Sequence, residues 1–409
     1  MSRSETGMSQ VDLNKENINL GAGADRLLRL SGIVGVVSLI LAGACALFIE
    51  GGASRVYQSY LVSFMFYLSL ALGGLFFVLI HHRARAGWSV VVCRLNEALA
   101  ANLLWMALLA IPILIGFGDL YVWSNKELVA TDPLLQHKQP YLNVPFFLIR
   151  LFIYFGLWIM LSQYFYKRSV EQDLSQDKTA TKRMEKWSAP GILIFALTVT
   201  FAAFDLIMSR DPHWFSTIFG VYYFAGCLIA IFSTLPILLT LLQRSGRLNR
   251  IVTADHFHDL GKYLFGFVVF WAYIAFSQFM LIWYANIPEE TVWYIRRFNG
   301  DWLTMSYFLM VGHFFIPFAL LISRFPKRRP KLLSLCCLWL LFVHWVDLYW
   351  LIMPESTPAG ELGLSIVDLA TFVAIGGFFF AGMAYWLRDR NLIPVGDPRL
   401  GESLAFENA

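Results

Sequence analysis

Asp205 interrupts the apolar run FAAFDLIM (201–208), and HWVDLYWLIMP (344–354) sets His344 and Asp347 three residues apart. On a helix that spacing puts two side chains on one face. Arg150 in VPFFLIRLFIYF and His313 in FLMVGHFFIPF add two ionisable groups, and Ser277 and Gln278 in WAYIAFSQFMLIWYANIPEET add two neutral polar ones. An aspartate at the centre of a lipid-exposed helix costs roughly 2.5–3.5 kcal/mol on insertion scales, so such residues turn inward and mark paths or sites. Arg150 offers the opposite charge to the carboxylates, which is how buried charges are tolerated. A second set, Asn96, Glu97, Asn102 and Gln163, lies toward the other end of its helices, and Asp368 opens the last apolar stretch.

Three chemistries use such residues. A bundle that holds haem needs paired histidines on facing helices, but only His313 and His344 are deep; His81, His82, His256 and His258 fall at span ends. A metal centre finds no ExxH or HxxxH pair, so none is expected. Proton handling fits better, because burial brings carboxylates and imidazoles toward neutrality at physiological pH. The plain alternative is interhelical hydrogen-bond glue, worth about 0.6 kcal/mol per contact. His344 with Asp347 favours the functional reading. Arg150, Asp205, Gln278, His313, His344 and Asp347 form the expected outer-half relay or quinone-proximal set. Asn96, Glu97 and Asn102 supply the inner half.

The elements that must position these groups are membrane helices. Of 409 residues 58% are hydrophobic and only 15% charged, against roughly 25% charged in soluble domains. A spanning helix needs about 20 apolar residues. Ten stretches qualify, near 28–49, 58–80, 91–115, 143–166, 190–209, 217–242, 262–285, 302–323, 332–353 and 365–387. The expected architecture is all-α: two four-helix bundles, helices 2–5 and 6–9, flanked by helices 1 and 10. Residues 1–25 are expected as a flexible cytoplasmic tail, 26–390 as the membrane domain, and 391–409 as a cytoplasmic C-terminal tail. The polar start has no apolar run of a signal peptide.

Orientation follows from charge. The N-terminal tail, every second loop and the C-terminal tail hold 25 of the 32 Lys and Arg residues, which predicts both termini in the cytoplasm. The opposite loops, GFGDLYVWSNKELVATDPLLQHKQPY and NIPEETVWYIRRFNGDW, are rich in Trp and Tyr. They read as amphipathic segments lying on the membrane, either an aromatic belt or a docking floor for an extracytoplasmic partner. A net charge of +4 gives no footprint for nucleic acid. The cysteines, Cys45, Cys93, Cys227, Cys336 and Cys337, read as small buried hydrophobes.

FAAFDLIMSRDP and FVHWVDLYWLIMPE each place an aspartate in an aromatic run and close on a methionine before a polar exit, which fits two parallel four-helix repeats. Together with FAAFDLIMSRDPHWFSTIFGVYYFAG, WAYIAFSQFMLIWYANIPEET and HWVDLYWLIMP, this pattern resembles the polysulfide-reductase-like (NrfD-like) quinone-interacting membrane subunits, and among them those of alternative complex III. The resemblance runs from about residue 26 to 390. It implies a subunit of a quinol:cytochrome c oxidoreductase in the bacterial cytoplasmic membrane. It would hold no cofactor of its own, interacting with menaquinol or another quinol and contributing to proton translocation. Its partners would be a sister NrfD-like subunit, an iron–sulfur subunit and c-type cytochrome subunits that hold the clusters and haems. Two further readings stand beside it, a stand-alone proton-coupled secondary transporter and a purely structural scaffold. Against the transporter, no helices broken by Gly or Pro occur at matching positions.

Overall fold

In a computed structural model, residues 13–49 and 51–408 are described. They form helices and, apart from one isolated bridge between Asn19 and Asn391, no strand pairing. Among the described residues, ten helices are long and apolar enough to cross a membrane: α1 (Ala22–Ala46), α2 (Gly52–Arg83), α3 (Val90–Ile115), α4 (Val144–Ser175), α5 (Lys178–Arg210), α6 (Phe219–Arg244), α7 (Ala254–Ala285), α8 (Asp301–Leu321), α9 (Pro330–Glu355) and α10 (Ile366–Leu387). The chain is a multi-pass, all-α membrane protein with the ten spans expected from its sequence. Helices α2, α4, α5 and α7 run past their apolar stretches, because segments such as KRSVEQDLS and KTATKRMEK keep helix-forming residues where hydropathy ends.

The central helix is α2, buried along nearly its whole length. It packs against α3, α5, α6, α9 and α10. Adjacent glycines make this possible: a Cβ on Gly73 would lie 2.5 Å from Cys227 O of α6, and one on Gly74 would lie 3.0 Å from Asn96 O of α3. Small residues at such crossings let backbones approach in a bilayer, where no hydrophobic effect drives helices together. Helix α4 packs against both α3 and α5, while α7 and α9 pack on α6 and α8 packs on α7 and α9. Helices α1 and α10 pair chiefly with each other and lean on α2.

Four spans are irregular near their polar residues. Helix α3 is interrupted at Asn102 and again at Ala110. Helix α8 carries a π-helical turn, Met310–Phe315, that contains His313; such turns recur at functional positions. Helices α5 and α9 both end after a Leu-Ile-Met run in a 3₁₀ turn, Met208–Arg210 and Met353–Glu355. Counted back from those methionines, Asp205 is three residues away and Asp347 six. Asp347 therefore lies one helical turn, about 4.5 Å, deeper than its counterpart.

An even number of spans puts both chain ends on one side, here called the basic end. Residues 13–21 and 391–408, placed in tails by the sequence, pack there; residues 1–12 of the expected N-terminal tail lie outside the described residues. Leu392 N donates to Ile18 O at 2.7 Å, Leu248 N to Asn17 O at 2.9 Å, and Ser403 Oγ to Trp88 O at 2.6 Å. These contacts close the two end segments over the loops after α2 and α6. At the other, aromatic end, the expected surface segments fold as short helices. Lys126–Thr131 and Pro133–Lys138 are capped by Asn125 and Asp132. Pro288–Arg297 buries Trp293, Tyr294 and Arg297 while exposing Val292 and Ile295.

Candidate functional site

Asp347 on α9 is buried, and among the described residues no cation forms an ion pair with it. Its Oδ1 accepts a 2.6 Å hydrogen bond from the Tyr222 hydroxyl of α6, and its Oδ2 accepts one of 3.2 Å from Trp271 Nε1 of α7. The carboxyl group is thus held by two neutral aromatic donors. The other face of Trp271 meets His313, ring centroids 3.9 Å apart, and His313 lies 6.5 Å from His344. His344 shares α9 with Asp347 but bonds elsewhere, to Ser69 of α2, with Nε2 and Oγ 3.0 Å apart. The Ser69 proton is committed to Phe66 O at 2.6 Å, so His344 Nε2 is the donor in that contact. Its Nδ1 then carries a free lone pair, and among the described residues it has no partner; neither does either ring nitrogen of His313. Leaving a buried polar atom unpaired costs about 1–3 kcal/mol.

The floor beneath His344 is set by Gly226 of α6. A Cβ there would come within 2.6 Å of His344 Cε1, so only glycine admits the imidazole at this depth.

Tyr222 and Trp271 also line a cavity of about 790 Å³ between α7 and α8, a volume suited to a small organic ligand. Its mouth is formed by Tyr273, Phe276, Tyr307 and Phe315, each more than half exposed, and its back by the buried Tyr222, Trp271, Tyr294 and Trp350. The cavity therefore opens sideways on the apolar perimeter. Its polar handles are few. The Tyr294 hydroxyl accepts from Gln278 Nε2 at 3.2 Å, and Ser306 Oγ accepts from Trp350 Nε1 at 2.8 Å.

Asp205 belongs to a different cluster. Arg150 of α4 grips it in a two-pronged pair, Nε to Oδ2 and Nη2 to Oδ1, both 2.8 Å, and the Tyr154 hydroxyl adds 2.7 Å to Oδ2. The remaining guanidinium nitrogen donates to Tyr141 O at 2.9 Å, and the cation sits 3.9 Å from the Tyr141 ring centroid. Burial pushes the Tyr141 hydroxyl up to about 12, with the Asp205 charge adding to the effect. Every prong of this pair is used, the geometry of a stabilising ion pair. The expected six-residue outer-half set is not joined into one hydrogen-bonded unit: Asp205 faces α4, whereas Asp347 faces α6 and α7, and no hydrogen bond links the two clusters among the described residues.

The other anticipated residues divide similarly. Gln278 is buried and bridges Ser216 and Tyr294, the latter a residue of the cavity's back wall. Glu97 is ion-paired with the fully buried Arg94, whose Nη2 donates to both Ser169 and Asp173 of α4. The Asn96 amide donates back to its own helix, at Val92 O, while that of Asn102 crosses to Phe379 O of α10. Asp368 receives Arg55 at 2.5 Å and Ser59 at 2.6 Å, stapling α10 to the start of α2. Arg297 donates to three backbone carbonyls, of Trp293, Trp350 and Leu351.

Sequence reasoning missed Tyr222, Trp271 and Arg94. The aromatics hid in a chain whose residues are 16% Phe, Trp or Tyr, and Arg94 read as one more loop cation. The signal for Arg94 was its spacing, three residues before Glu97. No protein-family model matches the chain, and no curated protein matches it.

Proposed function

We propose that this chain is a membrane subunit of a quinol-oxidising complex, taking a lipophilic quinol from the bilayer into the cavity between α7 and α8. The observation that carries this reading is the double position of Tyr222, which lines a laterally open cavity and donates to a buried, cation-free carboxylate. A quinol hydroxyl at the back of the cavity would pass its proton to Tyr222 Oη while Tyr222 gives its own to Asp347 Oδ1. A tyrosine can relay in this way because its hydroxyl both donates and accepts. Trp271, a donor only, positions the carboxylate. Oxidation of the quinol releases two protons and two electrons; the protons leave one at a time through Asp347, and the electrons leave to clusters and haems on partner subunits.

The sequence resemblance supports the wider setting, a bacterial cytoplasmic membrane with both termini in the cytoplasm and an iron–sulfur subunit, c-type cytochromes and a sister membrane subunit as partners. The clustering of basic residues at the end where the termini meet supports the orientation. A stand-alone transporter is less well served, since the cavity faces the lipid perimeter and not an aqueous end.

Binding of a short-tailed quinol analogue to the purified complex tests the reading. Replacing Ala275→Trp fills the cavity from its wall without touching Tyr222 or Asp347. We expect affinity at this site to fall at least tenfold. Unchanged affinity in the filled variant would overturn the cavity as the quinol site.

A further inference from the structure

We infer that His82, Cys93 and Glu97 form a three-ligand site for one divalent transition-metal ion, with zinc as the expected occupant. One ligand atom from each of the three lies within 4.8 Å of the other two, and all three residues are buried. Cys93 and Glu97 are four residues apart on α3 and so share a face. The turn that follows α2 folds back and lays His82, the last residue but one of that helix, over the same face. Imidazole, thiolate and carboxylate are the ligand types zinc takes, and three protein ligands leave a fourth position for water.

The details of each side chain fit the assignment. Glu97 Oε2 is fixed by Arg94 Nε at 2.9 Å, which turns Oε1 toward Cys93 Sγ, 3.5 Å away. The carboxylate is thus oriented by a neighbour and presents one oxygen to the thiol, as outer-shell partners do at metal centres. His82 is the independent observation. It is only 3% exposed, its ring lies against Phe165 with centroids 5.5 Å apart, and among the described residues neither ring nitrogen has a hydrogen-bond partner. An apolar residue would suit that position better unless the nitrogen has a ligand to meet.

Charge also balances. As the ion binds, the Cys93 S–H bond breaks, its proton goes to water and a sulfur–metal bond forms; the thiolate and the Glu97 carboxylate then neutralise a dication. The nearby cations have counter-charges of their own: Arg94 holds Asp173 at 2.9 Å, and Arg399 holds Asp397 at 2.8 Å. Tetrahedral zinc places its ligand atoms about 3.3–3.8 Å apart, so closing the site takes side-chain movements of about 1 Å. The ion would pin the end of α2 to the start of α3, where the C-terminal segment also docks through Asn391 O and Arg94.

The test uses the complex purified in detergent, stripped with a mild chelator and titrated with Co²⁺ as a spectroscopic probe. We expect one cobalt per chain, a thiolate-to-cobalt charge-transfer absorption, and displacement of that absorption by Zn²⁺. Cys93→Ser should abolish the absorption and His82→Gln should weaken binding at least tenfold, while Cys337→Ser, on α9 and remote from the ligands in the fold, leaves both intact. Absence of the absorption in the wild-type protein overturns the site whatever the variants do. So does an unchanged titration in either Cys93→Ser or His82→Gln.

Discussion

Tyr222 Oη and Asp347 Oδ1 lie 2.6 Å apart, and the Tyr222 ring forms part of the back wall of the cavity between α7 and α8. One residue thus connects lipid-accessible space to a carboxyl group that solvent does not reach. Helix α6 supplies the hydroxyl and α9 the acid, two helices in extensive contact, so the pair does not depend on a mobile loop.

Tyr222→Phe removes the hydroxyl and keeps the ring. Net hydrogen-bond contributions are about 0.5–1.5 kcal/mol, too little to unfold a helix bundle of this size. We expect the complex to assemble normally, to bind a quinol analogue within about threefold of wild type, and to lose most of its turnover. A steady-state oxidation assay, normalised to assembled complex, checks this; wild-type turnover would exclude Tyr222 from the proton path.

Arg150 and Asp205 should behave as a structural pair. Removing one partner strands a buried charge, which costs about 3–5 kcal/mol, whereas replacing both with apolar residues of similar size is often neutral. Arg150→Met and Asp205→Leu should each lower the thermal midpoint in detergent, and the double variant should recover much of the loss. Failure of the double variant to recover any stability would contradict this assignment.

How much of this was legible beforehand divides along physical lines. The ten spans follow from apolarity alone, and the need of Asp205 for a cation follows from the cost of burying its charge. The partner of Asp347 was hidden because a hydroxyl and an indole nitrogen carry no charge to flag them, and Tyr222 and Trp271 look like any interfacial aromatics. The one-turn offset between Asp205 and Asp347 was visible in FDLIM against VDLYWLIM, but its consequence, different neighbouring helices, appears only in three dimensions. The π-helical turn around His313 leaves no mark in hydropathy. Cys93 and Glu97 escaped notice as metal ligands because their four-residue spacing combines a thiol with a carboxylate, and His82 joins them only through the fold.

Gly226→Ala offers a test of His344 that leaves every polar group in place. The added methyl collides with the imidazole and should push it off Ser69. Overpacking of this kind costs about 1–3 kcal/mol. We expect assembly with reduced turnover, resembling His344→Gln. Assembly with full turnover in both variants would show that the imidazole and its unpartnered Nδ1 take no part in turnover.

The orientation can be checked with single cysteines in intact cells. Glu290→Cys, on the short helix at the aromatic end, should react with a membrane-impermeant maleimide, and Lys178→Cys, at the start of α5 on the basic end, should not. The reverse pattern would invert the topology and place the termini outside.

The most direct test of the central claim is turnover of the Asp347→Asn complex. Asparagine keeps nearly the same volume and can still accept from Tyr222, but it cannot carry a proton. We expect normal assembly, analogue binding close to wild type, and quinol oxidation or its coupled proton release reduced by at least tenfold. Normal assembly with wild-type oxidation and wild-type proton release would contradict it, and Asp347 would then be a packing residue in a scaffold subunit.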